Sequence, residues 1–286
     1  MSIKIITDSG SDLNKEIREN FKIDVMPIIV TQGEKTFLDG VNIDNKELYK
    51  NMREGIVYKT AARSPIDYEN KFTDALKQYD KAIYISLSSK LSSTYEYASL
   101  AKKTLEISDD RLMIIDSLSA SVGEGLIVYY LAKFLQCEDK SFDEIEIFAK
   151  KLRDNVECVF YVDSLEYLKR GGRVSKLGAA VGGLIKLKVI LGVEDEGKIA
   201  PVDKVRGEAK AIKRLVDLFK DRLYGGIYQD NIVVGHADAF ERAKDLASLV
   251  KEVYPNKNIS IADISSTIGA HCGPGTVALF AVKNFE

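Results

Sequence analysis

Three stretches of this sequence gather hydroxyl groups and an imidazole in a way that suits the binding of a small anion. Thr60 stands just ahead of Ser64-Pro65. A run from Ser86 to Thr94 (SLSSKLSST) leaves an apolar segment and closes on Ser92, Ser93 and Thr94. The third stretch, Ile268 to Thr276, reads IGAHCGPGT and carries His271, one of only two histidines in the chain. Neutral donors of this kind hold a carboxylate or phosphate through charge-assisted hydrogen bonds, and they lack the strong general base that bond cleavage asks for. Each stretch alone has a plainer reading, because hydroxyl runs mostly form turns and caps and a lone histidine is mostly structural. It is the combination that points to a ligand.

The signatures of the common catalytic machines are missing. There is no G-x-S-x-G elbow, no G-x-x-x-x-G-K-[ST] loop, no H-E-x-x-H and no G-x-G-x-x-G after a strand. The segment Ile6-Thr7-Asp8-Ser9-Gly10-Ser11-Asp12 has the look of an aspartyl-phosphate loop, but its second aspartate sits four residues on rather than two. That spacing fails the acid–nucleophile pairing, so Asp8 and Asp12 are read as caps of a turn and of the helix that follows. Cys137, Cys158 and Cys272 are odd in number and widely spaced, which predicts reduced thiols and no zinc site.

These loops need a scaffold, and the chain is long enough to supply two. Its 286 residues suit two domains, divided here as 1–157 and 158–286. A hydrophobic fraction of 45% and a charged fraction of 29% describe an ordinary soluble globular protein with apolar surface to spare for a pocket. A net charge of −2 argues against nucleic acid as the main partner. No run of about 18 apolar residues is present, so no transmembrane segment is expected. Met1 to Asp8 lead straight into a strand pattern with no charged n-region or cleavage site, and a cytoplasmic protein is expected.

Along the first half, strand and helix alternate as in a mainly parallel sheet. Strands are predicted at 3–7, 82–87 and 112–116, with Val25–Thr31 and Thr36–Leu38 as a hairpin or strand pair. Ser64-Pro65-Ile66-Asp67 starts a helix, helices follow at 95–106 and 119–136, and Ser141-Phe142-Asp143-Glu144 starts another that runs to Asn155. The second half changes character. A strand at 158–162 leads to the glycine-interrupted Arg170-Gly171-Gly172-Arg173 and a small-residue helix at 177–184. A hairpin (189–193 with 198–202), helices at 208–222 and 238–252, and apolar strands at 232–235, 259–264 and 276–282 complete a mixed-sheet domain. The fold class is therefore α/β in two domains, with a ligand tunnel expected between them.

With these residues in hand, the chain resembles the DegV family, the fatty-acid-binding subunits of bacterial fatty acid kinase. The likeness covers essentially the whole length. It rests on Ile6-Thr7-Asp8-Ser9, Thr60 with Ser64-Pro65, Leu91-Ser92-Ser93-Thr94-Tyr95, Asp116-Ser117 with Ser121-Val122-Gly123-Glu124-Gly125, Tyr167 to Arg173, Val205-Arg206, and Gly269 to Gly275. The resemblance implies no catalytic residues and no cofactor. It implies one long-chain fatty acid buried between the domains, its carboxylate held by Thr60, by Ser92 with Ser93 and Thr94, and by His271 from a glycine-rich loop. It further implies a separate ATP-dependent fatty acid kinase that makes an acyl phosphate for phospholipid synthesis, met by Arg173 and Arg206, with Arg170 able to replace either. This chain departs from the family at Thr60-Ala61-Ala62-Arg63-Ser64, at Ser93, which replaces a glycine, and at Leu187-Lys188-Val189. These changes bear on anchoring geometry and chain-length preference.

Burying about 15 methylenes at roughly 0.8 kcal/mol each gives a gross gain on the order of 12 kcal/mol, against which an unpaired carboxylate costs several. The three polar stretches offset that cost. Two other readings remain at this point. An acyl-directed hydrolase or transferase would use Ser92 or Cys272 as nucleophile and His271 as base, although Cys272 and His271 are neighbours in the chain and no orienting acid is apparent. A regulatory protein binding no lipid is the other.

Overall fold

The computed structural model of the chain describes residues 2–137, 140–174, 187–194 and 196–285. The predicted small-residue helix at 177–184 lies outside the described residues.

The N-terminal domain is built on four parallel strands. β1 (Ile3–Asp8) runs into a tight 3-10 turn and the short helix α1 (Lys15–Asn20). β2 (Asp24–Met26) then pairs with β1, and the chain breaks at Pro27 before β3 (Ile29–Gln32) and β4 (Lys35–Leu38). The expected single strand over 25–31 is thus two strands in different sheets, because proline offers no N–H to continue the ladder and restricts the residue before it. Helix α2 (Asn45–Arg53) follows; its cap is Asp44, which accepts from the Glu47 amide at 2.9 Å. β5 (Lys59–Ala61) joins β3 and β4 in a separate three-stranded antiparallel sheet.

Helix α3 (Pro65–Gln78) opens on the expected capping box, with both reciprocal Ser64–Asp67 bonds formed. β6 (Lys81–Ser86), α4 (Thr94–Thr104) and β7 (Leu112–Asp116) complete the parallel sheet in the order β2-β1-β6-β7. Helix α5 (Val122–Gln136) and helix α6 (Phe142–Asn155), opened by the Ser141–Glu144 capping box, lead to the second sheet.

That sheet has six strands in mixed directions. β8 (Val156–Tyr161), the short helix α7 (Glu166–Gly171), and the hairpin β9 (Leu187–Val193) and β10 (Ile199–Arg206) come first. Helix α8 (Glu208–Arg222), β11 (Asn231–His236), α9 (Phe240–Val253), β12 (Asn258–Asp263), α10 (Ser266–Cys272) and β13 (Val277–Val282) finish the chain. The order is β10-β9-β8-β13-β11-β12, with β10 and its Pro201 at an edge where a missing donor is tolerated.

Period-two alternation sends successive strand residues to opposite faces, and both sheets use it to share one core. Ile83 and Ile85 of β6, and Phe160 of β8 with Phe280 of β13, all belong to a single buried cluster that also contains Ile127 and Leu131 of α5. The alternate residues pack outward: Tyr84 against Tyr68 and Phe72 of α3, and Val159 and Leu279 against Leu215 and Phe219 of α8. Helix α5 lies between the sheets and is buried almost all round over its first three turns. A Cβ on Gly125 would come within 2.4 Å of the Ser11 carbonyl, so the glycine lets the helix close onto the turn after β1. The sequence division at 157/158 falls inside β8. Helix α10 crosses the division: it comes late in the chain yet packs on α2, β3 and β5 of the N-terminal domain. No helix among the described residues is long and apolar enough to cross a membrane.

Candidate functional site

Two of the expected anchors come from elements that sequence patterning did not resolve. Thr60 is not in a loop but in β5, opposite Val30. His271 is not in a glycine-rich loop but in the last turn of α10, and Gly273, at φ +80, ends that helix. The two side chains meet, with Thr60 Oγ1 2.7 Å from His271 Nε2. The other face of the ring lies on α7. A Cβ on Gly171 would stand 2.2 Å from His271 Nδ1, so only glycine lets the imidazole sit there. Nδ1 is buried and has no hydrogen-bond partner among the described residues. Burial, aided by the positive charge of Arg173, pushes the His271 pKa down to about 4, so the ring is neutral at pH 7. A neutral ring that donates from Nε2 to Thr60 leaves the threonine hydroxyl hydrogen free to point at a ligand.

This pair faces a cavity of about 310 Å³ at the junction of the domains, in the size range of small-molecule sites. The N-terminal domain supplies Thr60, Leu87, Leu91, Ser92 and Ser93 to its wall; the C-terminal half supplies Leu168, Arg173, Ile199, Thr267 and His271. Ser92 and Ser93 are the residues that open α4. Ser93 occupies the N-cap position but makes no side-chain capping bond, while Ser92 Oγ accepts from the Thr94 amide at 3.3 Å. The positive end of α4 and two hydroxyls therefore converge on one wall, an arrangement that favours an anion. Thr94 is not brought to that wall: its Oγ1 is buried and donates to the Leu87 carbonyl at 3.4 Å.

The three arginines expected at a partner surface separate. Arg170 and Arg206 are exposed, Arg170 beside Glu166 at 3.7 Å. Arg173 is half-buried in the cavity wall, where its Nε donates to the Leu91 carbonyl at 3.0 Å and its other arm to the Gly171 carbonyl. It spans the domain junction.

Beneath the cavity lies a set of buried acids whose part the sequence reading missed. Asp8 caps the 3-10 turn through the Gly10 amide, as expected, but also accepts from the Leu87 amide at 2.9 Å and the Tyr84 hydroxyl at 3.2 Å, fixing the start of the serine loop. Asp12 does not cap α1, which Asn14 caps instead; its carboxylate takes the Ser121 hydroxyl and the Ser265 amide. Ser9 accepts from the Ile28 amide at 3.0 Å. Glu124 accepts from Thr7 Oγ1 at 2.7 Å, and its other oxygen is buried with no hydrogen-bond partner among the described residues. Burial, reinforced by nearby carboxylates, raises Asp8 to about 6, Asp12 to about 7 and Glu124 well above its ordinary value. The run T-D-S-G-S-D was visible as capping chemistry; that its caps serve loops 19 to 253 residues away was not.

As for the groups of the hydrolase reading, burial lifts the Cys272 thiol to about 12, and the thiol is not part of the cavity wall. His271 Nδ1 has no acid to orient it. Among the described residues no group of His, Cys, Asp and Glu is arranged to hold a metal ion.

The chain and its fold have known relatives. Residues 2–284 match a sequence family described as uncharacterised, DegV family. A DegV domain-containing protein of Clostridium perfringens is 34% identical over 280 residues, covering 96% of each chain. A DegV family protein from Thermus thermophilus, described as binding fatty acid, superposes with a TM-score of 0.88 at 27% identity, over 99% of this chain and 100% of that one. A protein from Eubacterium ventriosum described as stearic acid-binding superposes with a TM-score of 0.88 at 25% identity, over 98% of both chains.

Proposed function

The chain belongs to the DegV family, and we propose that it binds one long-chain fatty acid in the junction cavity and presents the carboxylate to a separate ATP-dependent kinase. The observation that carries this reading is the Thr60–His271 pair in the wall of a largely apolar cavity that the serine-bearing start of α4 also lines. A carboxylate placed there would accept from the Thr60 hydroxyl and from Ser92 or Ser93, and the free amides of α4 would add their partial positive charge. The acyl chain would lie against Leu87, Leu91, Leu168 and Ile199. Fatty acid binding by the Thermus and Eubacterium proteins supports the ligand class.

The chain's own contribution is to hold, orient and desolvate. One carboxylate oxygen would be left to attack the γ-phosphorus of ATP on the kinase, forming acyl phosphate and releasing ADP. Exposed Arg170 and Arg206 suit contact with the kinase, and Arg173, in the cavity wall, would add its positive charge to the anion site. The raised thiol of Cys272 and the unoriented ring of His271 weigh against a hydrolase. Native purification, solvent extraction and mass spectrometry test the reading. About one fatty acid per chain is expected; no lipid, with no uptake of added oleate or palmitate, would sink it.

A further inference from the structure

Helix α10 has no cap of its own, because Ser265 in the N-cap position makes no side-chain capping bond. Carboxylates of the other domain take its leading amides instead. Asp12 Oδ1 accepts from the Ser265 N–H at 3.0 Å, and Asp39 Oδ2 accepts from the Thr267 N–H at 3.2 Å. The seat is tight. The Tyr49 hydroxyl donates to the Ile264 carbonyl at 2.8 Å, and a Cβ on Gly269 would stand 2.3 Å from that hydroxyl oxygen. Asp39 is 2% exposed and neither Asp12 nor Asp39 lines the cavity. His271 follows Thr267 by about one turn, ~6 Å along the axis. A helix of seven residues has little stability of its own, so whatever grips its first turn decides where its last turn stands.

We infer that Asp12 and Asp39 are positioning residues for the ligand carboxylate: capping α10 from the opposite domain, they hold His271 against Thr60 and set fatty acid affinity without touching the lipid. The inference rests on the fatty acid reading above. It also makes the binding pair conditional on domain docking, since the cap and the helix belong to different halves of the chain.

The two histidines make a test with its own reference. In protein labelled with [15N]histidine, His271 reports the seat of α10, while His236, beside Asp263 at 3.3 Å in the C-terminal sheet, reports the rest of the fold. In Asp39→Ala the His271 signals should shift and its titration midpoint should rise toward that of a free imidazole, with His236 unchanged. Oleate affinity should fall about tenfold, the scale of a lost helix cap. Asp39→Asn, which keeps an acceptor in place, should restore most of both. Wild-type His271 signals in Asp39→Ala and Asp12→Ala would overturn the inference, whatever happened to affinity. If Asp39→Ala fails to fold, Asp12→Ala, which removes the other acceptor from the first turn of α10, decides by the same signals. Wild-type protein that takes up no oleate would remove the fatty acid reading alone, and the His271 shifts would still decide the role of Asp39.

Discussion

Thr60 and His271 are 211 positions apart in the chain and 2.7 Å apart in the fold. The threonine rides on an edge strand of the N-terminal domain, the histidine on a helix contributed by the C-terminal half. Removing the hydroxyl in Thr60→Val should therefore cost a charge-assisted hydrogen bond to the ligand, about 1.5–3 kcal/mol or roughly tenfold to a hundredfold in fatty acid affinity. The melting temperature of the lipid-free protein should fall as well, because the buried His271 Nε2 loses its partner. Calorimetric titration with oleate checks this, and an unchanged affinity would remove Thr60 from the site.

His271 titrates far below a free imidazole because burial, with help from Arg173, disfavours its charged form. Its pKa falls from 6.5 to about 4 on folding, so the stability it contributes is present above 6.5 and is lost as pH drops through about 4. A bound carboxylate beside the ring reverses part of that shift. Fatty acid binding at pH 5 should thus be accompanied by proton uptake that vanishes in His271→Gln. Titrations in buffers of different ionisation enthalpy measure it.

Glu124 behaves in the opposite sense. Its folded pKa lies well above 4.5, owing first to burial and then to the charge of Asp8. Between 4.5 and that raised value the native state keeps a proton that the unfolded chain has lost, so stability from this group drains away as pH rises. Glu124→Gln removes the penalty while keeping an acceptor for Thr7. The difference in melting temperature between the variant and the wild type should shift in favour of Gln as pH goes from 4.5 to 8. A constant difference across that range would mean the carboxyl is not held protonated.

The parts of this fold that were legible in the sequence are those fixed by local chemistry. Ser64-Pro65-Ile66-Asp67 and Ser141-Phe142-Asp143-Glu144 form the capping boxes they spell, and the apolar runs at 82–87 and 112–116 fall on the buried parallel strands β6, one residue earlier, and β7. The short helices α7 and α10 were hidden by glycines that are needed for tertiary contact rather than for flexibility: Gly171 makes room for His271 and Gly269 for Tyr49. Asp39 and Tyr49 gave no signal, because a residue that serves a partner more than 200 positions away leaves no local pattern. Helix α2 could have been found from Asp44 and Glu47. Thr60, Ser92 and His271 stood out by residue type, their expected role as carboxylate anchors came from a family likeness, and the structure brings the three to one cavity wall.

Adjacent glycines of the R-G-G-R segment should fail differently. Alanine at Gly171 would drive a methyl group into the imidazole of His271, overpacking that costs about 1–3 kcal/mol and displaces a ligand-facing ring. Gly172 has no heavy atom of the described residues near its missing Cβ but sits at φ +70 to end α7, where alanine costs about 1–2 kcal/mol in backbone strain. Both variants should melt lower, yet only Gly171→Ala should lose oleate binding. Equal loss in both would show that the segment matters as a whole and not through its contact with His271.

Arg173 and Arg206 provide the last separation, between holding the ligand and meeting a partner. The Arg173 guanidinium ties the Leu91 carbonyl of one domain to the Gly171 carbonyl of the other, and its side chain forms part of the cavity wall. Truncation to Ala removes a charged donor from two carbonyls and opens the wall, so fatty acid affinity should fall by about tenfold or more. Arg206 ends β10 at the exposed edge of the second sheet, where removing an arginine leaves stability within about 0.5 kcal/mol. Arg206→Ala should retain lipid at the wild-type level and slow acyl phosphate formation by an added fatty acid kinase. Measuring lipid content and kinase-coupled turnover on both variants separates the roles. Full lipid content in Arg173→Ala, with turnover lost, would move that arginine out of the binding machinery and onto the interface; lipid loss in Arg206→Ala would mean that the edge of the second sheet helps close the cavity.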